Sequence, residues 1–149
     1  MMKRSSPVGM ANPSATVTSA GGLKFVATTN LGNAIFFEPS PVLGGSGKTP
    51  NPMEYYIAAI GGCADIKTKI DLTARGTAPE SLEVHVECTR SETLPEILKT
   101  IHVTFTLKGN LDNATVEAVI RDVMTLHCPV AVMAAASAKV TWEHRILAP

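Results

Sequence analysis

Neither sign of charge dominates this sequence. Lysine plus arginine and aspartate plus glutamate number 13 each among 149 residues, so electrostatic attraction to nucleic acid or to an anionic membrane surface is not expected. No apolar run approaches the ~18 residues that a membrane span requires. The opening "MMKRSSPVGMANPSA" carries two basic residues with no apolar segment behind them, which does not fit a secretory signal. Cysteine is scarce: Cys63, Cys88 and Cys128 are the only three, without CxxC or CxC spacing. That excludes a disulfide scaffold and argues against a zinc site, so no metal and no other cofactor is expected. H-x-x-x-H, G-x-G-x-x-G, Walker and G-x-S-x-G patterns are also missing. "GGSGKT" (residues 44–49) approaches a phosphate loop through Lys48 and Thr49, but Gly47 follows Gly44 by three residues instead of five. With free thiols and no leader, the reducing cytoplasm is the expected compartment.

Hydrophobic residues make up 45% and charged residues 17%, the composition of a globular chain long enough for a substantial core. Residues 1–14, rich in Ser, Pro, Gly and Asn, are expected to form a flexible tail, and 15–149 a single domain. Short β-prone runs split at Gly21-Gly22 and at Asn30 to Asn33 predict three strands at about 15–20, 23–29 and 34–38. "PSPVLGGSGKTPNP" holds four prolines and three glycines in fourteen residues and must be a loop. Pro52 then suits the first position of a long helix, and Gly76 suits its C′ position. "LEVHVECT" and "KTIHVTFTLKG" alternate cleanly. Leu82, Val84, Val86 and Cys88 in the first, and Ile101, Val103, Phe105 and Leu107 in the second, predict two antiparallel, half-buried strands. Val116, Val119, Ile120, Val123 and Met124 recur at helical spacing. Pro129 interrupts that pattern, so one helix should end near His127 and another begin at Pro129. A final strand, "AKVTWEHRI", follows. The order βββ-α-ββ-αα-β predicts an α+β fold, with the long helix packed against an antiparallel sheet.

Three cysteines and four histidines are the candidates for chemistry. Cys128 precedes Pro129 and would cap the second short helix, where the dipole and free N–H groups favour thiolate. Its neighbour His127 could assist. Cys63 sits inside the long helix directly after Gly61-Gly62, each glycine being about 1 kcal/mol less favourable there than alanine. Tyr56, Ala59, Ile60, Lys67 and Ile70 share its face, which reads equally as core. The glycines imply another backbone, or a partner chain, approaching closely. Cys88 is in phase with three aliphatic residues and reads as core. His85, His102 and His144 sit in strands with polar neighbours and read as solvent-facing rather than as metal ligands.

"NPMEYYIAAIGGC" and "HCPV", some 65 residues apart, resemble the OsmC/Ohr family of stress-induced hydroperoxide reductases over nearly the whole chain from about residue 15. Asn51, Pro52 and Glu54, the small residues before Cys63, and Cys128-Pro129-Val130 carry the resemblance. It implies an intertwined homodimer. It also implies that Cys63 attacks an organic hydroperoxide and that Cys128 resolves the product into a disulfide, which a dithiol reductant then opens. Glu54 and His127 are the candidate supporting residues. The family's efficient peroxidases activate their thiol with an arginine from the N-terminal strands and a glutamate shortly before the first cysteine. Residues 15–50 here contain no arginine, Arg4 lies in the tail, and Met53 stands where the acid is expected. Glu54 is nine residues before Cys63, on the opposite side of the helix at about 100° per residue. The competing expectation is an apolar small-ligand carrier on the same fold with little peroxidase activity. A metal site from Cys63, Cys128 and His127 is a third and weaker one.

Overall fold

The computed structural model describes residues 12–149. Of the expected tail, residues 1–11 lie outside the described residues, and Ser14 already exchanges a backbone hydrogen bond with Asn30. The chain divides into two compact units, ending and beginning at Tyr55 and Tyr56.

The first unit is an antiparallel meander of β1 (Ala15–Ser19), β2 (Phe25–Thr29) and β3 (Ala34–Phe37). Its two turns fall where Gly21-Gly22 and Asn30–Asn33 predict them, with Gly21, Gly22 and Gly32 all at positive φ. The loop after β3 folds over Glu38. This carboxylate is buried and accepts hydrogen bonds from the Ser46 hydroxyl and the Ser46 N–H at 2.9 Å, with Lys24 Nζ 3.6 Å away. The Ser46 hydroxyl, above the other causes, holds the Glu38 carboxyl below its ordinary range. Gly45 is required here, because a Cβ would lie 1.8 Å from the Pro39 carbonyl oxygen. "GGSGKT" is therefore the closure of a buried acid, and Ser46 is the residue it contributes.

Helix α1 spans Pro52–Ala74. Pro52 opens it as expected, and Gly76 (φ 76°) closes it with Thr77 N–H donating to the Leu72 carbonyl and Gly76 N–H to that of Thr73, the two bonds of a Schellman ending. In the second unit β4 (Ser81–Arg90) pairs antiparallel with β5 (Leu98–Lys108) in the predicted register of inward rows, Val84 opposite Phe105 and Val86 opposite Val103. The last strand, β6 (Lys139–Leu147), joins β5 in parallel. That pairing follows from the connection: residues 109–138 hold α2 (Asn113–Asp122), a π-helical turn (Val123–His127) and α3 (Pro129–Ala135), long enough for a crossover to the same sheet. The parallel pairing places His144 opposite Phe105, in the inward row with Val140, Trp142 and Ile146. His144 therefore does not follow the solvent-facing expectation; its Nε2 sits 2.9 Å from Asn113 Oδ1. His85 and His102 do lie on the outer face, against Glu87 and against Thr141 and Glu143. The core of this unit is Ile101, Val103, Phe105 and Leu107 of β5, Val116, Val119 and Ile120 of α2, and Ile60, Ala64 and Leu72 of α1.

Candidate active site

Two glycines precede Cys63 and they do different things. A Cβ on Gly61 would lie 3.1 Å from Val86 Cγ2 and 3.8 Å from the Val84 carbonyl oxygen, so Gly61 lets α1 sit close on β4. Gly62 is exposed and a Cβ there would meet nothing within 4 Å. One glycine thus answers the close-approach expectation within the chain, and the other faces outward. Cys63 is half-buried at the edge of that outward face. Its neighbours there are not core: Tyr56 and Ile70 are 37% and 54% exposed, and Ile66 is 60% exposed.

Cys128 is wholly buried. Pro129 holds it in extended geometry (φ −95°, ψ 100°), and as the N-cap of α3 its sulfur accepts the Ala131 N–H at 3.3 Å. The two cysteines meet. Cys63 is close enough to Cys128 to act on its titration. Burial, first, and the neighbouring Cys63, second, push the Cys128 thiol up from 9.0 to about 11, against the opposing pull of the Ala131 and Val130 N–H groups. The expectation that the helix start makes Cys128 a ready thiolate is thus overturned. Desolvation outweighs the field of a seven-residue helix, and Cys128 keeps its proton near neutral pH. Cys88, opposite Ile101 in the inward row, is likewise pushed up by burial, but it is half-buried and not in the closed core that its alternation predicts.

The two supporting candidates are engaged elsewhere. Glu54 Oε2 accepts the Asn51 N–H at 2.7 Å while Asn51 Oδ1 accepts those of Met53 and Glu54 at 2.9 and 3.0 Å. This reciprocal capping box gives Glu54 a structural task at the start of α1. His127 points away from Cys128 and pairs through Nδ1 with Asp71 Oδ2 at 2.5 Å. Asp71 and the π-helical turn that carries His127 were not legible in the sequence. Only Pro129 hinted at an irregularity there, and nothing links residues 71 and 127 by spacing. Among the described residues no three His, Cys, Asp or Glu side chains cluster as a metal site would need, and no single helix is long and apolar enough to cross a membrane.

The model of one family, described as OsmC-like protein, matches residues 45–143. No curated protein sequence matches. Among solved structures, a hypothetical protein of Aquifex aeolicus VF5 shares 20% identity at a TM-score of 0.77, over 93% of this chain and 99% of that one. An organic hydroperoxide resistance protein of Legionella pneumophila shares 17% at a TM-score of 0.71, over 91% and 97%. One from Elizabethkingia anophelis, with thiocyanate bound, shares 14% at 0.70, over 93% and 100%. At these identities the likeness is one of fold.

Proposed function

The chain belongs to the OsmC-like family, and from that premise we propose that it reduces organic hydroperoxides through the Cys63/Cys128 thiol pair. Cys63 is the nucleophile. Its thiolate attacks the distal peroxide oxygen, the O–O bond breaks, and the organic fragment leaves as an alcohol after taking up a proton. Cys63 is left as a sulfenic acid. The Cys128 thiol then attacks that sulfur, releases water and forms a disulfide, which an external dithiol reduces to return both thiols. The stress-detoxifying activity belongs in the cytoplasm, where free thiols persist.

One observation carries the division of labour. Cys63 is half-buried, while Cys128 is fully buried, retains its proton and lies beside Cys63. The more accessible thiol suits the peroxide, and a buried thiol beside it is the natural resolving group. The names of the Legionella and Elizabethkingia neighbours, organic hydroperoxide resistance proteins, support the substrate class. We further propose a homodimer, because the Ala59, Gly62, Ile66 and Ile70 side of α1 is apolar and uncovered. Treatment of the reduced protein with one equivalent of cumene hydroperoxide, followed by mass spectrometry of a non-reduced digest, should yield a Cys63–Cys128 disulfide and one equivalent of alcohol. Two thiols that remain reduced would overturn the reading.

The second reading, an apolar small-ligand carrier, is favoured by a separate feature. The first unit contains an apolar cavity of about 250 Å³ lined by Leu23, Phe25, Phe37, Glu38, Pro39 and Pro52. Under that reading Cys63→Ser and Cys128→Ser leave ligand affinity unchanged, and no dithiol supports turnover.

A further inference from the structure

The π-helical turn between α2 and α3 is tied to α1 at both of its ends. His127, its last residue, pairs with Asp71 at 2.5 Å. Asp122, which immediately precedes it, lies 3.6 Å from the Arg75 guanidinium and is also held by Arg121 at 3.3 Å. Asp71 is in the last turn of α1; Arg75 immediately follows the helix, its N–H still donating to the Asp71 carbonyl at 3.2 Å. Cys63 is eight residues before Asp71 on the same helix, about 12 Å along its axis at 1.5 Å per residue. The neighbours His127 and Cys128 therefore reach two points on α1 about two turns apart, one a carboxylate and one a thiol.

Such an arrangement matters because the backbone alone leaves the direction of Cys128 weakly specified. The turn is held by the widened bond from Cys128 N–H to the Val123 carbonyl, 2.9 Å. Pro129 supplies no N–H, and Cys128 is in extended geometry, so no helical ladder runs continuously from α2 into α3. Inside, Val123 and Met124 anchor the turn in the core; outside, Thr125, Leu126 and His127 are exposed. A single attachment would fix the position of this turn and leave its rotation free. A second, on the outer side, fixes the direction in which residue 128 projects.

We propose that the Asp71–His127 pair, backed by Arg75–Asp122, is a positioning clamp that seats the π-helical turn on α1 and sets the approach of the Cys128 thiol to Cys63. None of the four residues touches the reacting sulfurs, so they are positioning residues. The clamp rests on the redox-pair reading given above. It acts on the resolving step of that cycle, in which the Cys128 sulfur bonds to the Cys63 sulfur and the sulfenic oxygen leaves as water, taking up the Cys128 proton. It acts equally on the dithiol–disulfide equilibrium, because the intramolecular term there is the effective concentration of one thiol at the other.

The test is an equilibrium titration of the full chain in dithiothreitol redox buffers, with the Cys63–Cys128 disulfide counted by mass spectrometry. Asp71→Ala and His127→Ala should each lower the equilibrium constant for disulfide formation about tenfold, which is about 30 mV for a two-electron couple. The double variant should match either single one, since the pair acts as a unit. Asp71→Asn, which keeps an acceptor oxygen, should stay within about twofold of the wild type. His127→Gln provides a milder lesion should the alanine variants fold poorly, and is expected to fall between. Unchanged potentials in the alanine variants or in His127→Gln, or fully additive effects in the double variant, overturn the clamp while leaving the redox pair intact. A wild-type protein that forms no Cys63–Cys128 disulfide overturns the underlying reading itself.

Discussion

At Cys128 two fields oppose one another. The N-terminus of α3 offers the sulfur the N–H groups of Ala131 and Val130, which favour the thiolate; burial favours the thiol, and burial wins. The position of Cys128 at a helix start could be read from Pro129, because the proline fixes where the second helix begins. Its burial could not, since burial depends on what α1 and the sheet bring to it. The shift has a definite sign in solution. A thiol raised from 9.0 to about 11 in the folded protein contributes stability that is complete below about pH 9 and is lost as pH rises through about 11. Alkylation of Cys128 by iodoacetamide in the folded protein should therefore stay slow at pH 8 and accelerate only toward pH 11. Fast labelling of Cys128 at pH 8 would contradict the burial argument. In Cys128→Ala the urea midpoint should lose its share of the fall between pH 9 and 11.

At the scale of elements, the regular pieces were legible and the irregular ones were not. The alternation in β4 and β5 and the Pro52-to-Gly76 frame of α1 follow local rules, and each element sits within a residue or two of its expected place. The π-helical turn and the parallel pairing of β6 depend on how distant segments meet, which no local period encodes. Glu54 illustrates the same limit from the other side: the Asn51-to-Glu54 spacing is that of a capping box, and the cap is its use here. Gly61 gives the element-scale prediction. Alanine there gains about 1 kcal/mol of helix propensity but drives a methyl to 3.1 Å from Val86 Cγ2, in a range where overpacking costs about 1–3 kcal/mol. Gly61→Ala should therefore destabilise the protein by about 1 kcal/mol in urea denaturation. Placed in a Val86→Ala background, where the obstructing methyl is gone, the same substitution should become neutral or stabilising. Equal destabilisation in both backgrounds would show that Gly61 is needed for something other than its approach to β4.

At the scale of the whole molecule, α1 presents two apolar sides. Ile60, Ala64, Thr68 and Leu72 are buried against the chain's own core. Ala59, Gly62, Ile66 and Ile70, spaced three to four residues apart on another side, are exposed, and Cys63 lies at their edge. The sequence alone assigned Cys63 and its neighbours to one apolar face, and could not tell a face covered by this chain from one left for another. Contiguous uncovered apolar surface of this kind marks an association site, and a second copy is the occupant proposed above. Gly62, open to the outside, would let a partner backbone approach within the distance a side chain would forbid. Sedimentation of the wild-type chain at micromolar concentration should give a dimer. Ile66→Glu would place a charge in the middle of that surface and, at 60% exposure, should leave the isolated fold within about 0.5 kcal/mol of wild type. It should nonetheless sediment as a monomer. Its peroxide-dependent disulfide should then form more slowly, because the half-buried Cys63 would lack the apolar cover of the proposed second copy. An Ile66→Glu protein that remains dimeric with an unchanged rate would move the association surface off α1.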